Sequence, residues 1–264
     1  MVLEEITKAL QSYGSELRDE LAGMRLDLNP TQKKVLFDIL EHHNRQWLSE
    51  VWKGWYYIKD DAARLEAALD LLAQFQSGLP PKVPLKTLLD RLAEEFSATH
   101  IKKDPYGLAY FLFEVKGLKG AKTDYYNPQN SNLIYVLREN KGIPISLACV
   151  YILTAARLGL EVEGCNFPGH FLARIELNGK KVFVDCFNGG RVVTQQELLQ
   201  LQEDGASISQ EVLRENVSPE TVVSRFLGNL IQAYDQTGGI ENSQLMFELL
   251  NTLELSHLRV KSAS

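Results

Sequence analysis

The dipeptide Asn178-Gly179, set between two runs of alternating apolar residues, constrains this chain more than any other feature. A two-residue hairpin turn of the favoured kind needs positive φ at both central positions, and Asn-Gly meets that need best. The flanks His170–Leu177 and Lys180–Phe187 therefore read as paired antiparallel strands, and Glu161–Phe167 as a third strand before them. Upstream, Gly142-Ile143-Pro144 breaks the chain and starts a helix through Leu158, with Pro144 at its first position and Gly159 at its end. Ile145, Ala148, Cys149, Ile152, Ala155 and Ala156 recur along it at helical spacing, so this helix is expected to be mostly buried.

Helices flank this centre on both sides. Met1–Met24 has mixed polar and apolar residues at helical spacing, and Asn29-Pro30 starts a second helix that carries Trp47, Trp52 and Trp55. Aromatics spaced this way are more often core than partner surface. Asp60-Asp61 opens a third helix with Leu65, Ala68, Leu69 and Leu72 on one face, ended by Gly78-Leu79-Pro80-Pro81. Leu85–Phe96 and Tyr106–Val115 are further helices, and Asn130 or Ser131 is placed to cap a helix over Asn132–Glu139. After Gly189-Gly190 the pattern returns to helices at Gln195–Gln202, Pro219–Tyr234 and Asn242–Leu253. The expected fold is α+β, with a helical region over 1–80, a core over 85–205 and a helical hairpin over 215–256 that is tetratricopeptide-like at most.

The totals exclude several classes of function. A formal net charge of −6 over 264 residues repels a phosphate backbone, and the lysine clusters are short and interleaved with acids, so nucleic acid is not an expected partner. Cys149, Cys165 and Cys186 show neither CxxC nor Cys/His metal spacing and cannot all pair. Met1–Gln11 lacks the apolar stretch of a signal peptide, and no run reaches the roughly 18 apolar residues of a membrane span. A cytoplasmic location without a membrane partner or a cofactor is the resulting expectation.

Hairpin geometry locates a possible site. With the turn at Asn178-Gly179, His170 falls opposite Phe187, and His170, Leu172 and Arg174 share a face with Phe183, Asp185 and Phe187. Asp185 is then a diagonal neighbour of His170, placed to fix its tautomer as the acid of a nucleophile–His–acid triad does. Cys186 points to the other face. A His–Asp pair on a half-buried sheet is also a common structural contact, and the residues alone favour that plainer reading.

The blocks Gly142-Ile-Pro-Ile-Ser146, Ala155-Ala-Arg-Leu-Gly-Leu160, Asn166-Phe-Pro-Gly-His-Phe-Leu172 and Val184-Asp-Cys-Phe-Asn-Gly-Gly190 resemble the signatures of the SirB-type bacterial proteins of the transglutaminase-like superfamily. Tyr126-Asn-Pro-Gln-Asn-Ser-Asn-Leu133 resembles the tyrosine/proline/asparagine-serine block that precedes their core. The resemblance is dense from about 85 to 200, weak over 219–253, and does not cover the first 80 residues. It implies a cysteine-protease-like fold in which a cysteine at the start of the central helix faces a histidine and an aspartate on adjacent strands. His170 and Asp185 match the latter two positions, while the cysteine position falls at Pro144.

Other nucleophiles must then be weighed. Ser146 lies in the first helical turn, where a serine is commonly structural. Cys149 sits one turn deeper on the apolar face. Cys165, five residues before His170, is the best thiol candidate, though a packed strand cysteine is the more ordinary role. The leading expectation is a pseudoenzyme that binds a protein or peptide in a degenerate cleft near Asn166, Phe167, Gly169 and Asn188, with Arg174 a weaker contact. The alternative is an acyl transferase or amide hydrolase using Ser146 or Cys165 with the His170–Asp185 pair. A metal site at that pair has too few ligands and ranks last.

Overall fold

A computed structural model describes residues 16–24, 29–200, 212–213 and 215–261. Within the expected first helix, Glu16–Gly23 is helical. Residues 1–15 and the Leu201-Gln202 end of the helix expected from Gln195 lie outside the described residues.

Helix starts follow their capping chemistry. Asn29 Oδ1 accepts from Gln32 N at 2.9 Å and Gln32 Oε1 accepts from Asn29 N at 3.1 Å, opening the helix Pro30–Val51. Asp60 caps Asp61–Ser77 through Ala63 N at 2.8 Å, and Gly78, at φ +75°, ends it. The tryptophans are not all on one α-helix. The chain tightens at Trp52–Tyr57 into a 3₁₀ segment, whose three-residue turn puts Trp52 and Trp55 on the same buried side. Tyr106–Val115 also divides, into the helix Pro105–Tyr110 and a widened π segment, Phe111–Val115, closed by Lys116 N donating to Phe111 O at 2.8 Å.

The cap of Leu133–Glu139 is neither Asn130 nor Ser131 but Asn132, whose Oδ1 accepts from Ile134 N at 3.0 Å and Tyr135 N at 3.2 Å. Asn130 and Ser131 lie one step earlier, buried in the 3₁₀ turn Pro128–Ser131. The central helix spans Pro144–Arg157, with Pro144 in its first turn as expected.

Two short strands, β1 (Lys119–Gly120) and β2 (Lys141–Gly142), pair in parallel beside the start of that helix. The main sheet is antiparallel, in the order β3 (Glu163–Cys165), β4 (Leu172–Leu177), β5 (Lys180–Asp185), β6 (Arg191–Val193). Asn178 and Gly179 take φ of +52° and +73°, and Leu177 pairs with Lys180 as the turn requires. The strands are shorter than their apolar runs. β6 has no counterpart in the sequence reading, which assigns no element between Gly190 and Gln195. Gly189 and Gly190, at φ +76° and +72°, reverse the chain and return Arg191 opposite Asp185.

One sheet face, with Ala173, Ile175, Val182 and Val184, joins the core formed with the central helix. The other carries Cys165, Leu172, Phe183 and Val193 under Leu198 and Leu213. The first core also takes in Trp55 and Leu72 from the front and Phe226 and Leu249 from the C-terminal helices Pro219–Thr237 and Ile240–Lys261. Polar ties cross the same boundaries. Arg157 on the central helix reaches Asp90 at 2.7 Å and Glu66 at 2.8 Å, and Asn242 Nδ2 donates to Glu41 at 2.9 Å.

Candidate functional site

His170 is carried by a tight turn rather than by a strand. Its N–H donates to Phe167 O at 3.0 Å, Gly169 takes φ +71°, and β4 begins only at Leu172. Pro168-Gly169 thus sets the angle at which the imidazole leaves the sheet. His170 Nε2 lies 2.9 Å from Asp185 Oδ1 at the end of β5, so the pair inferred from hairpin register forms by direct hydrogen bonding. Both side chains are half-buried.

Asp185 is held from both sides. Asn188 Nδ2 donates to Oδ2 at 2.8 Å and Asn188 N to Oδ1 at 3.2 Å. Burial alone would raise the carboxyl pKa, but the bonds from His170 and Asn188 outweigh it and hold it below the usual carboxylate value. His170 Nε2 is thus committed to Asp185, and Nδ1 has no hydrogen-bond partner among the described residues. No group of three His, Cys, Asp or Glu gathers into a metal-holding cluster among the described residues.

The neighbours of the pair are aromatic. The Phe187 ring stands edge-on to His170 at 6.2 Å and to Tyr125 at 6.0 Å, and Tyr125 contacts Tyr126 at 5.4 Å. Gly120 N donates to Phe187 O at 3.1 Å, while Gly120 pairs with Gly142, two residues before Pro144. The start of the central helix therefore connects to His170 through β1 and Phe187. The tyrosine/asparagine block has a physical role in this arrangement. Asn130 Nδ2 donates to Asp124 O and, at 3.3 Å, to Tyr125 O, while Asn130 O accepts from Ser146 Oγ at 2.7 Å. One buried asparagine thus fixes Tyr125 and the helix start together.

The candidate nucleophiles are not brought to the imidazole. Ser146 is fully buried, and its Oγ accepts from Ile143 N at 3.0 Å while directing its hydrogen at main-chain oxygen. Cys165 is fully buried among the residues under the outer sheet face, its Sγ 3.6 Å from Val212 O, and burial pushes its thiol up to about 11. Cys149 and Cys186 are likewise fully buried, with thiol pKa values raised by burial.

Among the expected cleft residues, Asn188 joins the pair directly. Gly169 is an exposed turn glycine, and Phe167 packs in part beneath the outer face of the sheet. Asn166 Oδ1 and Phe167 O both accept from Arg225 Nη1, the latter at 3.0 Å. Arg174 is no ligand contact: it is 1% exposed and bonded to Glu163 at 2.6 and 2.8 Å and to Leu213 O at 2.8 Å. Sequence reasoning misses Arg225 and Tyr125. The tyrosine lies one residue before the recognised block, and Arg225 gives no local signal, because only the tertiary fold brings its helix to the Asn166–His170 turn.

Residues 83–228 match the sequence profile of the transglutaminase-like superfamily. A UPF0162 protein of Xylella fastidiosa (strain Temecula1) is 36% identical over 133 residues, covering 48% of this chain and 47% of that protein. A UPF0162 protein of Vibrio cholerae is 28% identical over 108 residues, 39% of this chain and 40% of that protein. Human F-box only protein 21 is 27% identical over 208 residues, 74% of this chain and 32% of that protein. The chain thus spans about half the length, or less, of these relatives. That 74% is more than residues 81–264 contain, so the likeness to the human protein enters the first 80 residues, where no resemblance was expected. No solved structure matches the chain significantly.

Proposed function

The chain belongs to the transglutaminase-like superfamily, and from that membership we propose that it is a non-catalytic module whose cleft at His170 and Asp185 binds a peptide segment of a protein partner. The observation that carries this reading is a paired imidazole and carboxylate to which no nucleophile is hydrogen-bonded among the described residues, and the family resemblance puts its cysteine position at Pro144. Covalent catalysis needs a nucleophile within hydrogen-bond reach of its base. The nearest hydroxyl in sequence, Ser146, bonds main chain instead, and all three thiols are buried. What the cleft retains is suited to binding: the second ring nitrogen of His170, the Asn188 carboxamide and the edges of Tyr125, Tyr126 and Phe187. Aromatic side chains of this kind supply rigid contact area with a polar handle.

The test is selection of peptides from a random displayed library against the full chain, followed by titration of the enriched peptides. We expect saturable binding that weakens at least tenfold in Tyr125→Ala and in His170→Ala. Binders insensitive to both substitutions, or none at all, overturn the proposal. So does turnover of any amide by the purified protein, which would restore the acyl-transfer alternative.

A further inference from the structure

A concave site lies where the helix Pro30–Val51, the end of Asp61–Ser77, the turn at 127–129 and the two C-terminal helices meet. It encloses about 200 Å³, and neither the His170–Asp185 pair nor the aromatic residues beside it line it. Its polar lining is dominated by carboxamides: Asn44, Gln76, Asn127, Gln129 and Asn242. Most are already committed. Gln76 Nε2 donates to Pro128 O at 2.8 Å, leaving only its buried Oε1 unpaired among the described residues, Asn127 Oδ1 accepts from Gln129 N at 3.0 Å, and Asn242 bonds both Glu41 and Arg45.

Asn44 is different. It is 1% exposed, yet among the described residues neither its Oδ1 nor its Nδ2 has a hydrogen-bond partner. Folded proteins rarely leave both halves of a buried amide unpaired, and such a group points to a partner of complementary shape. The remaining lining limits what that partner is. Among the described residues Glu41 is the one charged lining residue and is paired with Arg45 and Asn242, so none of them leaves a free charge awaiting a counter-ion. Phe37, Phe75 and Tyr234 add flat apolar surface. The volume is below the roughly 300–1,000 Å³ of drug-sized pockets, which limits the occupant to about one ring system.

We propose that this cavity binds a small, neutral, planar molecule that presents an amide-type edge, a donor beside an acceptor, to Asn44. An asparagine carboxamide pairs in two-point fashion with such an edge, as it does with adenine. Free nucleobases and aromatic or aliphatic primary carboxamides share this chemistry.

The test is calorimetric titration of the full chain with adenine, uracil, nicotinamide and propionamide, which separates base from carboxamide as the source. At least one should bind saturably, and Asn44→Leu, close in volume but without the amide, should weaken it fivefold or more. Absence of saturable binding by all four up to millimolar concentration overturns the proposal, since water alone would then fill the site. A loss smaller than fivefold overturns it as well. Should the variant fail to fold, the side-chain amide resonances of Asn44 in the unaltered chain decide: they shift on saturation, or the proposal fails.

Discussion

Gly120 lies flush against Phe187. Its N–H donates to the Phe187 carbonyl at 3.1 Å, and a Cβ added there would come within 2.6 Å of the phenyl ring and 2.7 Å of that carbonyl. Because the same ring meets His170 edge-on, a two-residue strand sets the position of the aromatic neighbour of the His170–Asp185 pair. Gly120→Ala should therefore displace Phe187 and lower stability by about 1–3 kcal/mol, the usual cost of overpacking. Urea denaturation gives the stability and peptide titration the cleft. Unchanged peptide affinity would remove Phe187 from the binding surface.

Ser146→Ala separates structure from chemistry. The substitution leaves Ile143 N–H without its side-chain acceptor and takes a donor from Asn130 O, at a cost of about 1–3 kcal/mol for buried groups. The folded variant should bind selected peptides with unaltered affinity. A large loss of function at unaltered stability would place the hydroxyl in the chemistry instead.

The three thiols should be silent in the native state. Burial pushes Cys165 up to about 11 and raises Cys149 and Cys186 as well, so at neutral pH all three are protonated and shielded. A disulfide exchange reagent should label the folded chain negligibly and release three equivalents once denaturant is added. Rapid native labelling of Cys165 would contradict its packing under the sheet.

Asp185 makes stability depend on acid. Its folded pKa is lowered, burial opposing and the bonds from His170 and Asn188 prevailing, so the unfolded chain binds its proton more readily. The contribution is complete above the ordinary carboxylate value of about 4 and is lost as pH falls through the lower folded value. Asp185→Asn should be less stable than the unaltered chain at pH 6, with the difference narrowing below about pH 4. Parallel curves from thermal unfolding at stepped pH would refute this.

What could be read in advance depended on how local the cause was. Asn29, Asp60 and Pro144 act within a single turn, and each opens the helix assigned to it. Asn178-Gly179 sets a register, and with it the side-by-side placement of His170 and Asp185. Distant causes are hidden. The choice of Asn132 over Asn130 as cap follows from Asn130 being drawn to Asp124 O and Tyr125 O. β6 has only three residues and is defined by its partner strand. Arg225 reaches the Asn166–His170 turn from a helix whose own pattern shows only an apolar face and a polar one.

The tie between Asn242 and the Glu41–Arg45 turn of the long front helix has a consequence for how this chain is made. Those residues are about two hundred positions apart, and Trp55 and Leu72 share a core with Leu249. On a ribosome the early helices emerge long before the segment that covers them. They must wait with apolar faces uncovered, so a pause or a premature stop before residue 240 would leave a product for chaperones and proteases to sort.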